Sequence, residues 1–598
     1  MKNWKVVADW AESIDKSIGW AKLPTPLALP VLIGLRDRLR AKNLYDTGRG
    51  PLDKPPFTDP NQADYRGART LDGTYNDLND PLMGAIGSRF GRNVPLQYSW
   101  HEELPELLDP NPRLVSRKLL TRESFQPATT LNLLAGAWIQ FEVHDWFSHG
   151  DNDPNDRWQV TLEADDPWPD HPMQIDKTLP DPSYEPGKPK TFVTKDTHWW
   201  DGSQVYGSTP EFADALRTHE NGKLKIDEHG LPPKELEEAA HIDFRGVAGN
   251  FWIGLALLHS LFMREHNTVC DRLHEAYPEL TDQQLYEKAR LVVAALMAKI
   301  HTVDWTPAII AHPTTVLALR TNWYGLLGER FDKLFGRVTQ NEVIRGIPGS
   351  PTNHHGVPYS LTEEFVAVYR MHPLIPDDFV FLSLRDDSVL QRRELPEVGA
   401  LEVRNRLDEM SMVDVFYSFG RAYPGAITLH NFPRYLQDFH RPAGDHVDLA
   451  TIDVVRTRER GVPRYNEFRR LFHLDPVSSF EEMTDNPVWA EELRRVYGDV
   501  EKVDLMIGMY AEPKPRGFGF SDTAFRVFIL MASRRLESDR FFTVDYRPEV
   551  YTKVGFDWVE SNTMRSLLLR HFPELEPALE GVANPFAPWT AVGGGAHG

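Results

Sequence analysis

The chain has 598 residues, of which 41% are hydrophobic and 26% are charged, a composition typical of globular proteins. Its formal net charge of -21 argues against a nucleic-acid partner, because phosphate binding requires clustered lysine and arginine. The one cysteine, Cys270, excludes an internal disulfide framework and any zinc or iron–sulfur site built from several cysteines.

Residues 1–45 are expected to form an N-terminal helical segment. Asp9, Glu12 and Asp15 interrupt the apolar core that a signal peptide would need, and no stretch reaches the roughly 20 apolar residues of a membrane span. We therefore expect a cytoplasmic protein. Three tryptophans interleave with basic residues in this segment, so peripheral membrane contact stays open beside the favoured interpretation, a helix packed on the body.

The rest of the chain is predicted to be mainly α-helical. Segments 45–125 and 151–196 are rich in proline, glycine and aspartate, which indicates irregular connections, and strand patterns are few and short. We expect one large catalytic body over residues 46–598. Apolar residues recur at three- and four-residue spacing in seven segments, each predicted to be a helix: 131–147, 251–275, 282–301, 363–372, 409–419, 480–497 and 521–537.

The first stretch that suggests chemistry is "AWIQFEVHDWFSHG", residues 137–150. In a helix, Gln140 and His144 lie one turn apart on the same face, whereas Asp145 points about 100° away. A zinc site of His144, Asp145 and His149 fails on this geometry, because His144 is turned aside. The stretch therefore offers an imidazole to one pocket and a carboxylate to a neighbouring one.

The second stretch is "THWWDGSQVYGS", residues 197–208. Thr197, Trp199, Asp201 and Ser203 alternate, so their oxygen atoms converge on one side of an extended loop. Two hydroxyls, a carboxylate and a main-chain carbonyl suit Ca²⁺ and suit transition metals poorly. Asp145 could supply the second acid. A plain Asp-Gly-Ser turn is the alternative for this stretch taken alone.

The third stretch is "EEFVAVYRMHPLIPD", residues 363–377. In the predicted helix Tyr369 and His372 share a face just before Pro373 ends it. The histidine could bind a metal, and a tyrosine held beside that metal could be oxidised by it. Two core residues near the end of a helix are the alternative.

Together the three stretches resemble the haem peroxidase–cyclooxygenase superfamily. The resemblance implies a distal helix with Gln140, His144 and Asp145, a calcium loop with Thr197, Trp199, Asp201 and Ser203, and a proximal haem ligand at His372. It is supported by three further landmarks that follow in the family's order: "SRFGRN" (88–93), "LLHSLFMREHN" (257–267) and "RTRERGVPRYNEFRR" (456–470). It implies an animal haem-peroxidase-like fold.

Departures from the peroxidase pattern point to one branch. Val143 and Phe251 stand where peroxidases carry the acids that esterify haem, and Ala248 stands at their catalytic arginine. The resemblance therefore implies non-covalent haem b. Tyr369 matches the radical tyrosine of the oxygenase branches, and one cysteine cannot build the disulfide-rich module of cyclooxygenases. The chain is most similar to the fatty-acid α-dioxygenases.

The α-dioxygenase resemblance also implies a carboxylate anchor. Its histidine and threonine correspond to His301 and Thr306, and its arginine falls near "ASRRLESDRFFT" (532–543). We favour Arg535, and Arg534 and Arg540 stay open. The alternative for His301 is a histidine at a helix end that caps carbonyls. The alternative for Arg535 is a surface ion pair.

The resemblance implies haem and Ca²⁺ as cofactors, with a long-chain fatty acid and O₂ as substrates. A Tyr369 radical would remove the α-hydrogen, O₂ would add, and the product would be a 2-hydroperoxy fatty acid; His144 and Gln140 would handle the activating peroxide. We expect a monomer. A mid-chain or cyclooxygenase-like dioxygenase, a peroxidase dependent on hydrogen peroxide and a haem-bearing adhesion protein stay open as alternatives.

Overall fold

The computed structural model describes residues 2–57, 65–234, 250–328, 339–400, 402–441, 444 and 446–592. Within these ranges the chain is mainly helical, as the sequence predicts. The helices of ten residues or more are Lys2–Ile18, Thr25–Lys42, Leu133–Trp146, Ile253–Ala276, Asp282–Ile300, Pro313–Tyr324, Met412–Arg421, Leu449–Glu459, Pro487–Tyr497 and Asp522–Ser538.

Shorter helices fill the spaces between the long ones. They are Pro112–Val115, Ser203–Tyr206, Pro210–Leu216, Thr306–Ile309, Glu342–Arg345, Glu363–Val368, Glu402–Glu409, Arg434–Gln437, Tyr465–Leu471, Phe480–Met483, Leu505–Ala511, Pro548–Tyr551, Lys553–Ser561, Met564–His571 and Glu576–Leu579. Several begin at a side-chain cap, such as Thr362 before Glu363–Val368, because a hydroxyl satisfies an otherwise free N–H of the first turn.

The described strands form three antiparallel pairs. They are Asn152–Val160 with Met173–Thr178, Asp378–Leu382 with Val389–Glu394, and Phe439–His440 with His446–Val447. The first pair lies in 151–196, where the sequence predicts an irregular connection, and that prediction is wrong for these residues. Trp158 and Val160 bury one face of the pair, which is enough to hold a strand whose other residues are mostly polar.

Two predicted helices differ from the structure. The 363–372 helix ends at Val368, and His372 begins a separate 3₁₀ turn, because Pro373 has no N–H for the carbonyl four residues earlier, that of Tyr369, and its ring crowds that carbonyl. Tyr369 and His372 therefore do not share a helical face. The 480–497 helix is broken into Phe480–Met483 and Pro487–Tyr497, since Asn486 caps a new helix whose first residue is proline.

The core is built around two adjacent helices, Ile253–Ala276 and Asp282–Ile300, whose central residues are fully buried. The Leu133–Trp146 helix packs against the first of them. The Asp522–Ser538 helix forms one wall of a small internal cavity. The Thr25–Lys42 helix packs on Asp522–Ser538 and on Pro313–Tyr324, and its apolar face joins the main core. In the described part of the chain no helix is both long and apolar enough to cross a bilayer.

The second long core helix ends in an unusual turn that prepares the site. After Ile300 the chain makes a π-helical turn, His301–Trp305, and the N–H of Thr306 donates to the carbonyl of His301. Pro307 follows and lacks the N–H that a regular α-helix would use. Wide turns of this kind are frequent at functional sites. Here the turn brings His301 and Thr306 to the same cavity.

Candidate active site

The Leu133–Trp146 helix presents Gln140 and His144 on one face and buries Asp145 on another, as the periodicity predicts. Gln140 is held at both ends of its amide: its Oε1 accepts a hydrogen bond from Trp252 Nε1 at 2.7 Å, and its Nε2 donates to the carbonyl of Asn250 at 3.3 Å. The amide therefore has a fixed orientation beside His144.

The imidazole of His144 is neutral at physiological pH. Burial lowers its pKa to about 4, because a charged ring would lose its hydration. A second buried histidine, His259, packs edge-on against Phe141 and is also kept neutral by burial and by the neighbouring His144. A neutral His144 can accept a proton, which is the role that a distal base needs.

His372 lies at the start of the 3₁₀ turn with its ring one-third exposed. Its Nδ1 is 2.8 Å from Oδ2 of the buried Asp453, which also pairs with Arg370. A proton on Nδ1 would face this carboxylate and leave the lone pair of Nε2 free for a ligand, and Nε2 has no hydrogen-bond partner among the described residues. This is the arrangement that an imidazole needs in order to bind haem iron.

Tyr369 is buried three residues before His372 and contacts Trp146 and Phe365. Burial raises the pKa of its phenol, so the side chain keeps its proton at neutral pH. No hydrogen bond to its hydroxyl forms within the described part of the chain. The hydroxyl is thus free to exchange a hydrogen atom with a molecule in the adjacent cavity.

One small internal cavity is lined by Tyr369, His301, Thr306 and Arg535, which come from three distant segments of the sequence. The Thr306 hydroxyl donates to the carbonyl of His301 at 2.7 Å, which leaves its oxygen lone pairs facing outward. An apolar groove continues from this cavity toward the surface. Four residues line both spaces: Leu319, Asn322, Phe528 and Ala532.

His301 carries its proton on a defined nitrogen. Trp138 Nε1 donates to His301 Nδ1 at 3.1 Å, so Nδ1 is the acceptor and the proton of the neutral ring is on Nε2. Burial and the nearby Arg535 lower the pKa of His301 well below its ordinary value. Trp305 stacks on the ring with centroids 4.6 Å apart. Among the residues that the structure describes, His301 caps no helix carbonyl; its Nε2 presents an N–H donor.

Arg535 is buried without a carboxylate partner in the part of the chain that the structure describes. Its guanidinium stacks on Trp146 and Trp200, 4.0 and 4.4 Å from the ring centroids. Its Nε and Nη2 are buried and make no hydrogen bond. A buried cation with unused donors is costly unless a ligand supplies an anion. The surface ion pair that was the alternative for Arg535 is absent from this region.

The two other candidate arginines have structural partners. Arg534 donates to the carbonyls of Val357 and Pro358 at 3.0 and 2.9 Å. Arg540 donates to the carbonyls of Tyr65 and Arg66 and pairs with Asp545. Neither side chain lines the cavity, so Arg535 is the candidate that faces it.

The predicted calcium residues form one buried cluster. The N–H of Ser203 donates to Oδ1 of Asp145 at 2.6 Å and to Oδ1 of Asp201 at 3.2 Å, which brings the two carboxylates together. Thr197 Oγ1 lies 3.1 Å from Asp201 Oδ2 and 3.5 Å from the carbonyl of Trp199. Oδ2 of Asp145 is buried and unpartnered.

Electrostatics at this cluster favour a cation. Burial and the neighbouring Asp201 raise the pKa of Asp145, because two like charges lie close together away from water. Arg290 Nη2 is 3.3 Å from Asp201 and compensates one of them. The donor set is all oxygen, which suits Ca²⁺.

Sequence reasoning missed three residues of the site. Asp453 and Trp138 fix the two key histidines, and Glu142 is a buried acid whose Oε2 accepts from Trp200 Nε1 at 2.8 Å. Burial raises the pKa of Glu142 to about 8. An acid in the middle of an apolar helix was a usable signal for Glu142. Nothing local marks Asp453 or Trp138, whose partners are distant in the sequence.

The structure also places His149 and two of the three positions at which peroxidases carry haem-linking acids or a catalytic arginine. His149 lies beyond the end of the helix, stacks on Phe90 and bridges Glu363 and Arg460 at 3.1 and 3.2 Å. Val143 is half-buried and Phe251 is buried, so neither offers an acid to haem. Ala248 lies outside the described residues.

Comparisons with known proteins agree with this geometry. Residues 68–582 match the family model for animal haem peroxidases. The chain is 38% identical to alpha-dioxygenase PIOX of Oryza sativa subsp. japonica, over 97% of this chain and 94% of that protein. It is 39% identical to alpha-dioxygenase 1 of Capsicum annuum, over 96% and 90%.

A solved structure supports the same relationship. The crystal structure of a Tyr-to-Phe variant of Oryza sativa fatty acid alpha-dioxygenase with palmitic acid superposes with a TM-score of 0.90 at 36% identity, covering 98% of this chain and 97% of that one. The predicted resemblance and fold class are confirmed. The chain belongs to the animal haem peroxidase family and, within it, to the fatty-acid alpha-dioxygenases.

Proposed function

We propose that this enzyme oxygenates long-chain fatty acids at the α-carbon, with Tyr369 as the hydrogen-abstracting residue. The observation that carries the proposal is the shared cavity, in which the Tyr369 phenol faces the same space as the unpaired guanidinium of Arg535. An anion bound at Arg535 would hold the carbon beside its carboxylate next to the phenol. Attack at that carbon needs such a placement.

Three donors are available to one carboxylate. Arg535 supplies charge and two free N–H groups, and His301 supplies its Nε2 proton. Thr306 can turn its hydroxyl away from the carbonyl of His301 to donate a third hydrogen bond. Charge-assisted hydrogen bonds of this kind offset the cost of burying a carboxylate.

The apolar groove suits the tail of the substrate. It is lined by the Thr25–Lys42, Pro313–Tyr324 and Asp522–Ser538 helices, with Leu32, Phe525 and Ile529 among its apolar side chains. Because it shares lining residues with the inner cavity, a single extended chain could occupy both spaces. The head group and the tail would then fix together which carbon faces Tyr369.

The residues also fit haem b held without a covalent bond. His372 would bind the iron through Nε2 with Asp453 behind it, and His144 would take the proton of an activating hydroperoxide with Gln140 beside it. Haem, when bound, supplies the oxidant that removes one electron from Tyr369 as its proton leaves. Val143 and Phe251 leave no acid for an ester bond at those positions.

The proposed reaction uses the Tyr369 radical in its first step and restores it in its last. The Tyr369 radical takes a hydrogen atom from the α-carbon, O₂ adds to the carbon radical, and the peroxyl group takes the hydrogen atom back from Tyr369. The product is a 2-hydroperoxy fatty acid. Loss of CO₂ and water from it would give the aldehyde one carbon shorter.

An oxygen electrode tests this function directly. The wild-type enzyme with haem should consume O₂ with palmitate, a saturated chain without allylic hydrogens, and give a C-2 hydroperoxide or the shortened aldehyde. Tyr369→Phe should keep the haem Soret band and lose this uptake. Uptake that persists in the variant, or products oxidised in mid-chain, would refute the proposal.

We further propose that Asp145, Thr197, the Trp199 carbonyl, Asp201 and Ser203 bind Ca²⁺. The unpartnered buried Oδ2 of Asp145 and its close approach to Asp201 support a cation there. Metal analysis of the purified enzyme should find calcium, and Asp145→Asn should reduce it. Full calcium content in that variant would contradict the assignment.

We infer a catalytic domain over residues 46–598, preceded by the helical segment 1–45, in a monomeric cytoplasmic enzyme. Peripheral membrane contact is supported by exposed leucines on two of the helices that line the groove, Leu27 and Leu317. Light scattering after gel filtration would test the monomer, and flotation with liposomes would test the contact, using Leu27→Ser as the comparison.

A further inference from the structure

A short hairpin outside the active site groups two histidines and an aspartate. Its strands are Phe439–His440 and His446–Val447, and His440 pairs directly with His446 in the antiparallel register. Side chains of directly opposed residues project from the same face of such a pair. Asp438 precedes His440 by two residues, so its carboxylate can reach the same side.

The three side chains already lie at distances close to those of a metal site. His446 Nε2 is 2.6 Å from Asp438 Oδ1, and His440 Nε2 is 4.0 Å from the same oxygen. One donor atom from each residue lies within 4.8 Å of the others. Ligands of tetrahedral zinc are roughly 3.3 Å apart, given bonds of about 2.0–2.1 Å. Rotation of the exposed His440 ring out of its nearly parallel stack on His446 would bring these three atoms onto one ion.

A buried tryptophan holds one of the imidazoles. Trp168 stacks on His446 with centroids 4.0 Å apart and an interplanar angle of 13°, and His440 stacks on the other side of His446 at 4.1 Å. Trp168 is itself fixed beneath the guanidinium of Arg113. The orientation of the His446 ring is therefore set by packing as well as by Asp438, which lowers the entropy lost on binding.

The chemistry of the donors selects the kind of ion. Two imidazole nitrogens with one carboxylate favour zinc, copper or nickel, whereas Ca²⁺ and Mg²⁺ require oxygen-rich sites. Asp438 and His440 are exposed, so water can complete the coordination. We propose that Asp438, His440 and His446 form a site for a divalent transition-metal ion, with Zn²⁺ as the first choice.

The position of the hairpin indicates what such an ion would do. The hairpin directly precedes the Leu449–Glu459 helix, and its His446 stacks on Trp168 of the loop between the two strands of the first sheet. None of the three ligands lines the Tyr369 cavity. The ion would therefore stabilise the contact of the hairpin with Trp168 and would not take part in fatty-acid oxygenation.

Zinc titration of the haem-loaded, full-length enzyme tests the site. After removal of loosely bound metal with EDTA, isothermal titration calorimetry with ZnCl₂ at about pH 7.5 should show one site with a dissociation constant in the micromolar range. The double variant His440→Ala/His446→Ala should lose it, with the Soret band and fatty-acid oxygenation unchanged. MgCl₂ should give no binding heat at this site.

A second surface group provides the matched control. Glu228, His229 and Asp408 also lie within 4.8 Å of one another, but they offer a single imidazole. His229→Ala should therefore keep the zinc site. Zinc binding that survives in the double variant, or that disappears in His229→Ala, would overturn the proposal, as would affinity no better than millimolar.

A measurement on the wild-type protein does not depend on how the variants fold. Diethyl pyrocarbonate modifies accessible neutral imidazoles, and peptide mass spectrometry locates the product. Zn²⁺ should protect His440 and His446 at least tenfold, because bound imidazoles have no free lone pair. Equal modification of both residues with and without Zn²⁺ would rule the site out.

Discussion

Trp138 donates a hydrogen bond from Nε1 to Nδ1 of His301 over 3.1 Å, and this contact determines which ring nitrogen of His301 can donate to the substrate. Because Nδ1 accepts, the proton of the neutral ring is on Nε2. Burial and, to a smaller extent, Arg535 lower the pKa of the ring and keep it neutral, so the tautomer set by Trp138 is the one present at working pH. The carboxylate anchor thus depends on a residue that need not touch the substrate.

Replacing Trp138 with phenylalanine should weaken fatty-acid binding. Without the indole donor, His301 can place its proton on either nitrogen, and the loss of about 1 kcal/mol corresponds to a rise in KM of about fivefold. Oxygen uptake at varied palmitate concentration measures this, and the haem content should not change. Trp305→Phe keeps the aromatic contact with His301 and leaves its Nδ1 bond intact, so KM should stay closer to wild type. Equal KM values in the two variants would contradict the role of Trp138.

Arg535→Gln should raise the KM for palmitate by about 10- to 100-fold, because hydrogen bonds to a charged group contribute about 1.5–3 kcal/mol. Arg534→Gln is the matched control at the adjacent position. Its guanidinium donates to main-chain carbonyls, so this variant should lose thermal stability while KM changes little. A larger KM effect in Arg534→Gln would move the anchor to that residue.

Local sequence patterns predict much of this site. The rest depends on contacts between segments that are distant in the sequence. The spacing of Gln140, His144 and Asp145 fixes their faces on one helix, and the structure has them so. The sequence favours Arg535 but does not exclude Arg534 and Arg540, because the decision depends on which side chain is left without carbonyl or acid partners once distant segments fold together. Pro373 was a usable signal that the helix before His372 stops early, since a proline in a helix removes an N–H and crowds the carbonyl four residues before it.

Asp453→Asn should keep haem bound but reduce the rate of oxygen uptake. The carboxylate 2.8 Å from His372 Nδ1 orients the ring and strengthens it as a metal ligand, and an amide would do so less. Loss of such a partner typically lowers activity by about 10- to 100-fold, whereas KM for palmitate should not change because Asp453 does not line the cavity. Spectra of the ferric enzyme and kcat measure the two effects. His372→Ala, in contrast, should fail to hold haem; a full haem complement there would remove His372 as the ligand.

Glu142→Gln should stabilise the enzyme in a pH-dependent way. The acid is fully buried, and its pKa rises from an ordinary 4.5 to about 8 on folding. Between these values the folded chain holds a proton that the unfolded chain releases. The free energy of unfolding therefore falls as pH rises through this window, by about 1.4 kcal/mol for each pH unit, and the contribution is most favourable below pH 4.5.

Glutamine keeps the shape and can still accept from Trp200 Nε1, but it has no proton to lose. The difference in melting temperature between Glu142→Gln and wild type should therefore be small near pH 5 and grow steadily up to pH 8. Glu123→Gln, at an exposed side chain, serves as the control and should show no such trend. Differential scanning fluorimetry of the haem-loaded enzymes across this pH range gives the comparison. Parallel melting curves for wild type and Glu142→Gln at every pH would mean that Glu142 is already ionised in the folded enzyme, which its burial beside Asp145 argues against.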